Sequence, residues 1–196
     1  MTGAGGQHRL GPQRNAAIDT AVLDATRELL IERGYSGTSI DAIARRAGVG
    51  RPAIYRRWPS KAHIVHDAIY PRLTRPEGSG GDVEEDIALL AAGAVELFGS
   101  PATRAAVPGL MSETRGDPEL HDLLVDQPLA GVRDELRRRL DEAIADGRVR
   151  SGIDSDTLLD VIAGTAIFAL SVRDVDDQHR LAESLADLLL HGVLAD

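Results

Sequence analysis

Between Thr38 and Lys61 the chain reads TSIDAIARRAGVGRPAIYRRWPSK, and no other stretch limits its fold as tightly. Ile40, Ile43, Ala44 and Ala47 recur at i, i+3, i+4 and i+7, one apolar stripe of a short helix. Thr38 is placed to cap that helix, with Asp41 three residues on completing a capping-box pattern. Gly48 ends the helix where a left-handed residue is wanted, and Val49 plugs the turn. Pro52 suits the first position of the next helix, since its missing N–H would have no partner there. That second helix keeps Ile54 and Trp58 for the core and leaves Arg51, Ala53, Tyr55, Arg56 and Arg57 for other faces. The small Ala44 lets the two helices approach closely. The pattern predicts a helix-turn-helix whose second helix is thin and cationic enough to enter a DNA major groove.

Charge is distributed accordingly. The 196-residue chain has a net charge of −9, which taken alone argues against a nucleic-acid partner. Yet residues 1–76 carry 12 Lys/Arg against 6 Asp/Glu, and residues 77–196 carry 10 against 25. A basic front and an acidic rear imply that only the front meets an anionic polymer.

The run from Gly34 to Ile64, GYSGTSIDAIARRAGVGRPAIYRRWPSKAHI, resembles the DNA-binding domain of TetR-family transcriptional regulators. GY followed by TS, then IA, AGV, IYRRW and PSK match that family's pattern at its spacings. The resemblance implies an all-α chain, with an N-terminal three-helix helix-turn-helix DNA-binding domain over 15–75. It also implies a C-terminal helical ligand-binding and dimerisation domain over 82–196. The implied function is a sequence-specific repressor, released from its double-stranded DNA operator by a small-molecule effector. Two departures leave the operator open: Gly50 stands for a frequent serine, and Arg56–Arg57 stand for frequent histidines.

Candidate contact residues follow. Arg51 and Arg56 are candidates for base edges or nearby phosphates, arginine to guanine being the commonest specific contact. Pro52 and Ala53 would sit against bases, where a thymine methyl packs. Tyr55 and Lys61 would hold phosphates, as their counterparts in the family motif commonly do. Lys61 is also a cation in the first turn of a helix, where the dipole opposes it and a bound phosphate would justify it. Thr38 and Arg45 are further phosphate candidates. Arg57 is expected to face the fourth helix or solvent.

Elsewhere the chain reads as helices without strand alternation. Residues 1–14 are glycine-rich and polar; Arg9 and Arg14 there suit either a groove-reaching arm or a tail without a specific task. Asn15 to Arg33 carries Ile18, Val22, Ala25 and Leu29 and stops at Gly34, with Tyr35 at the corner. Ser60 is expected to cap a fourth helix that ends near Pro71. Residues 71–82 (PRLTRPEGSGGD) read as a linker. A fifth helix spans about Asp82 to Phe98. A sixth runs from roughly Ala102 to Glu113 with a bend at Pro108–Gly109. A seventh starts at Asp117–Pro118, is interrupted at Pro128 and stops at Gly147. The eighth is capped by Asp154 or Ser155, and the ninth holds Leu181, Leu185, Leu188, Leu189 and Val193.

The last two helices are unusually apolar, and Ala163, Gly164 and Ala166 permit close approach of a neighbour. A protein that reads DNA with one short helix gains affinity and spacing from a second copy. These helices are therefore assigned to a homodimer interface, and the resemblance implies a four-helix bundle formed by the same pair.

Composition narrows the rest. Aromatics are only 3% against 43% hydrophobic residues, so aliphatic side chains must build the core, which favours helix packing. There is no cysteine, which excludes disulfides and thiolate chemistry. No apolar run approaches a membrane span, and the N-terminus lacks a signal core, so a cytoplasmic protein with no membrane partner is expected. His63, His66 and Asp67 share a helix face but lack a third strong ligand, so no metal or cofactor is expected. No phosphate loop, nucleophile elbow or zinc motif is present. An enzyme is not expected; a helical small-molecule-binding protein or enzyme, or a protein-interaction module, on the same fold is the competing reading. In the rear domain Phe98, Leu110, Met111, Leu123, Leu124 and Phe168 are candidates to line an effector pocket, and each is equally good core.

Overall fold

The computed structural model describes residues 12–70 and 82–192. Residues 1–11 of the N-terminal arm, with Arg9, and the linker before Asp82 fall outside what is described; Arg14, expected in that arm, belongs instead to the first helix, which begins at Pro12. The described residues contain ten α-helices, joined by turns and one π-helical segment, and no strand. The chain parts into two compact units between Ala68 and Ile69.

The front unit is built by α1 (Pro12–Gly37), α2 (Ile40–Ala47), α3 (Arg51–Tyr55) and most of α4 (Lys61–Ile69). The apolar stripes predicted for α1 and α2 meet in one core: Val22, Leu29, Ala42, Ile43, Ala44, Ile54, Trp58 and Ile64 are all buried together. Each large aliphatic side chain so buried contributes about 1.5–3 kcal/mol. Helix α1 is broken at Gly34, whose φ of 68° lies in the left-handed region, and the chain turns there so that Tyr35 packs into the corner.

That break corrects the expected cap. The Gly34 carbonyl, released from the helix ladder, accepts the Thr38 hydroxyl at 2.9 Å, and Thr38 is buried. Ser39 caps α2 instead, its Oγ accepting from Ala42 N at 3.2 Å. Asp41 thus sits at the second helical position, not the third, where its charge still complements the helix N-terminus. Pro52 likewise lies at the second position of α3, behind Arg51, and Gly50 caps that helix without a side chain.

At the other end of α2, Gly48 adopts φ 67°, ψ 29°, and Val49 N donates back to the Ala44 carbonyl at 3.0 Å. An added Cβ at Gly48 would meet nothing within 4 Å, so strain alone opposes substitution. Gly48→Ala is expected to cost about 1–2 kcal/mol in urea denaturation, from forcing an L-residue into the left-handed region. An unchanged midpoint would mean that the turn relaxes without cost.

The rear unit centres on α5 (Val83–Gly99), which α9 (Ser155–Ser171) and α10 (Gln178–His191) pack against. Its apolar residues form consecutive clusters: Val83 and Ile87 with Leu136, Leu140 and Leu159; Ala91 with Ile162 and Leu185; Val95 and Phe98 with Val107, Ala166 and Leu170. Tyr70 stands edge-on to Phe98 with ring centroids 6.5 Å apart, and burial pushes its hydroxyl up to a pKa of about 12. α6 (Pro101–Thr114) runs through Pro108, and Asp154 caps α9 through Thr157 N. A largely buried ion pair, Asp86–Arg139 at 2.5 Å, ties α5 to α8 (Gln127–Ala145).

The seventh predicted helix is not interrupted at Pro128. α7 (Pro118–His121) passes into a π-helical turn over Asp122–Asp126 and then into α8. Gln127 N bonds the Asp122 carbonyl, one residue further back than in an α-helix. The proline just after it has no N–H to give to the ladder.

Candidate nucleic-acid interface

Helix α3 has only five residues, so its position depends on what holds it from behind. Ile54 is fully buried, and Trp58, just after the helix, is 6% exposed. Trp58 Nε1 donates to Asp67 Oδ2 on α4 at 2.8 Å. The bond from His66 Nδ1 (3.1 Å) together with that from Trp58 holds the Asp67 carboxyl below its ordinary range, against partial burial. Asp67, weighed from sequence only as a weak metal ligand, is therefore the acceptor that fixes the end of α3. Ser60 Oγ lies 2.9 Å from His63 Nδ1. Among the described residues no group of three side chains is arranged to hold a metal ion.

With the inner face so anchored, the outer face is left to Arg51, Pro52, Tyr55 and Arg56, all exposed, with Ala53 half-buried at its margin. Arg45 on α2 is also exposed. Arg51 Nη1 donates to Asp41 Oδ1 at 2.7 Å, across the turn between α2 and α3. Arg57 departs from expectation. It turns back onto Asp19 of α1 and donates to the Ala53 carbonyl at 2.9 Å, which clamps α3 from a third side.

Lys61 stands at the start of α4 as predicted, but its surroundings are richer than a bare helix terminus. Its Nζ lies 3.7 Å from the centre of the Tyr35 ring and donates to the Tyr35 carbonyl at 3.3 Å. The ring face and carbonyl compensate the unfavourable dipole. Thr38 is the one DNA candidate that the structure turns inward: at 2% exposure its hydroxyl proton is committed to Gly34. It is not an exposed phosphate ligand. Arg46, which the sequence does not separate from Arg45, bridges Glu28 and Glu32 of α1 at 2.9 and 2.7 Å. It braces α2, while its neighbour stays on the surface.

The rear-unit candidates differ in exposure. Phe98 and Leu110 are buried and Leu123 is half-buried; the side chain of Leu124 falls outside the described set. Met111 and Phe168 are 55% and 56% exposed, on the outside of their helices. Helix α9 is apolar nearly all round, and its packing on α5 and α6 decides which apolar residues face inward.

Comparison with known proteins agrees with both units. Residues 22–68 match the family model described as bacterial regulatory proteins, tetR family. Residues 79–189 match the tetracyclin repressor-like C-terminal domain. The chain is 28% identical over 171 residues to an HTH-type transcriptional regulator of Mycobacterium tuberculosis, covering 86% of this chain and 84% of that protein. Its fold is similar to that of the transcriptional regulator FadR from Bacillus subtilis, solved in complex with stearoyl-CoA, with a TM-score of 0.64 and 20% identity, covering 89% and 99% of the two chains. It is also similar to NalD, the secondary repressor of the MexAB-OprM multidrug efflux pump in Pseudomonas aeruginosa, with a TM-score of 0.55 and 26% identity, covering 93% and 98%.

Proposed function

Because this chain belongs to the tetR family of bacterial regulatory proteins, helix-turn-helix transcriptional regulators, we propose that it is a repressor released from its operator by a small-molecule effector. The observation that carries the reading is the outer face of α3. Arg51, Tyr55 and Arg56 stand exposed on a helix held from behind by Ile54, Trp58 and Arg57. Arg51 and Arg56 meet base edges or adjacent phosphates, Pro52 and Ala53 pack on bases, and Tyr55, Arg45 and Lys61 hold the backbone. The front domain comprises residues 15–75 and the regulatory domain residues 82–196.

The active species is a homodimer through α9 and α10, which places two copies of α3 in successive major grooves about 34–36 Å apart. Val161 and Phe168 on α9, Val172 at its C-cap and Leu188 on α10 are large apolar side chains left exposed by the chain itself, and a second copy would cover them. The effector is a small molecule taken up by the rear unit. FadR, of similar fold, was solved with stearoyl-CoA and NalD is a repressor, and both support this assignment. Binding shifts the dimer between two head spacings only in so far as the effector prefers one of them. The protein acts in the cytoplasm, and no described helix is long and apolar enough to cross a membrane.

The test is a salt titration of the full chain against the DNA flanking its own gene, with an unrelated duplex as control. Tighter, salt-dependent binding to the flanking DNA supports the reading, and no binding to either duplex at low salt ends it. Within the same experiment, Lys61→Ala is expected to weaken every duplex alike and to lower the salt slope by about one counterion. An unchanged slope would remove Lys61 from the phosphate contacts.

A further inference from the structure

The Arg51–Asp41 pair sets a carboxylate beside the outer face of α3, where approaching phosphates repel it. The pair is more than half exposed on both sides, at 59% and 56%, and in water such a pair contributes little to stability. Asp41 complements the N-terminus of α2, but any exposed acid in that first turn does so, whether or not it reaches α3. The geometry has a more specific consequence. Asp41 Oδ1 takes a proton of Nη1 only. The edge formed by Nε and Nη2 carries two parallel N–H groups and stays available, and that fork matches the N7 and O6 acceptors of guanine in the major groove. An unsupported arginine side chain carries considerable rotamer freedom, all of which is lost on forming two directed bonds. One held at Nη1 has already lost part of it. As the groove excludes water the pair strengthens, because charges attract more in a lower dielectric.

We infer that Asp41 is a positioning residue for base reading: it orients the Arg51 guanidinium so that each half-site carries a guanine at the position Arg51 faces. This rests on α3 being the base-reading helix and goes beyond it by naming the base and the residue that enforces it. Asp41 touches no base itself. It acts through Arg51, so its removal should alter discrimination at one position and leave the rest of the site intact.

The experiment is enrichment from a pool of random 30-base-pair duplexes by the full-length wild type, Asp41→Asn, Asp41→Ala and Arg51→Ala. The enriched sites are then titrated individually, and urea melts establish that each variant is folded. The wild type should enrich a two-fold site with one strongly preferred guanine per half. Arg51→Ala should lose that preference alone. Both Asp41 variants should lower the guanine-over-adenine ratio there by about 10-fold, the lower part of the range for one bidentate contact, with other positions unchanged. Unchanged preference in the Asp41 variants overturns the inference, and so does a site without guanine opposite Arg51. A uniform rise in affinity for all duplexes also overturns it, since Asp41 would then act as a charge brake. Failure of the wild type to enrich any site would instead count against the repressor reading itself.

Discussion

Phe168→Asp is expected to turn the protein into monomers and to weaken binding to a full two-fold operator by about 10²–10⁴-fold, the usual gain from tethering two modest binders. Val161 and Phe168 are spaced by seven residues along α9, which places them on one face of the helix, and Val172 follows as its C-cap. All three are exposed in the isolated chain, as is Leu188 on α10. Gly164, on the same stripe, is also exposed, and an added Cβ there meets nothing within 4 Å. A surface of this kind, lined with aliphatic and aromatic side chains and broken by a glycine, permits close helix approach across a two-fold axis. At such an axis each substitution is felt twice. An aspartate buried there faces its own copy, and an unpaired buried charge is strongly unfavourable. Light scattering coupled to size exclusion gives the mass, and a half-site duplex provides the control, since monomers should bind it about as well as wild-type heads do. A Phe168→Asp protein that remains dimeric would move the interface elsewhere.

Trp58→Ala should cost about 3–5 kcal/mol, the usual result of deleting a buried aromatic. Small domains are stable by only about 5–15 kcal/mol, so the front unit would lose much of its margin and DNA binding would fail with it. The indole fills the space between α1, α3 and α4, in one cluster with Val22, Leu29, Ile43, Ile54 and Ile64, and its N–H bonds Asp67. Trp58→Phe separates these contributions. It keeps most of the apolar volume and removes only the donor, at an expected cost of about 1–2 kcal/mol including the half-satisfied carboxylate left behind. Circular dichroism during urea titration measures both. A Trp58→Ala protein as stable as wild type would mean that the short helix is held by Ile54, Arg57 and the backbone without the indole.

Much of this architecture was legible in the residues. The stripe Ile40, Ile43, Ala44 and Ala47 and the glycine after it place α2 and the turn because helical periodicity and a left-handed φ are local properties. The capping residue was misplaced by one position for an equally physical reason. Thr38 and Ser39 are both competent hydroxyls, and only the carbonyl freed by the break at Gly34, itself a matter of backbone geometry, draws Thr38 inward. Charges were the hardest to place. Arg51 with Asp41 and Arg57 with Asp19 join residues of different elements, and no periodicity records such pairs. The sequence points Arg57 toward the fourth helix or solvent, and it instead pairs with Asp19 of the first. Phe168 and Met111 illustrate another limit. An apolar residue on a helix that is apolar all round announces that it will be covered, but not by what.

Trp58 has an optical consequence as well. It is the only tryptophan in the chain, so all indole emission comes from the base of the reading helix. Its ring is buried and its N–H is bonded to Asp67 on α4, the helix within which the two units part. Any signal that displaces α4 against α3 must change the polarity around that one fluorophore. The protein thus carries its own unlabelled spectroscopic gauge: candidate effectors can be screened by emission wavelength and intensity, in the absence of DNA and before any operator is known.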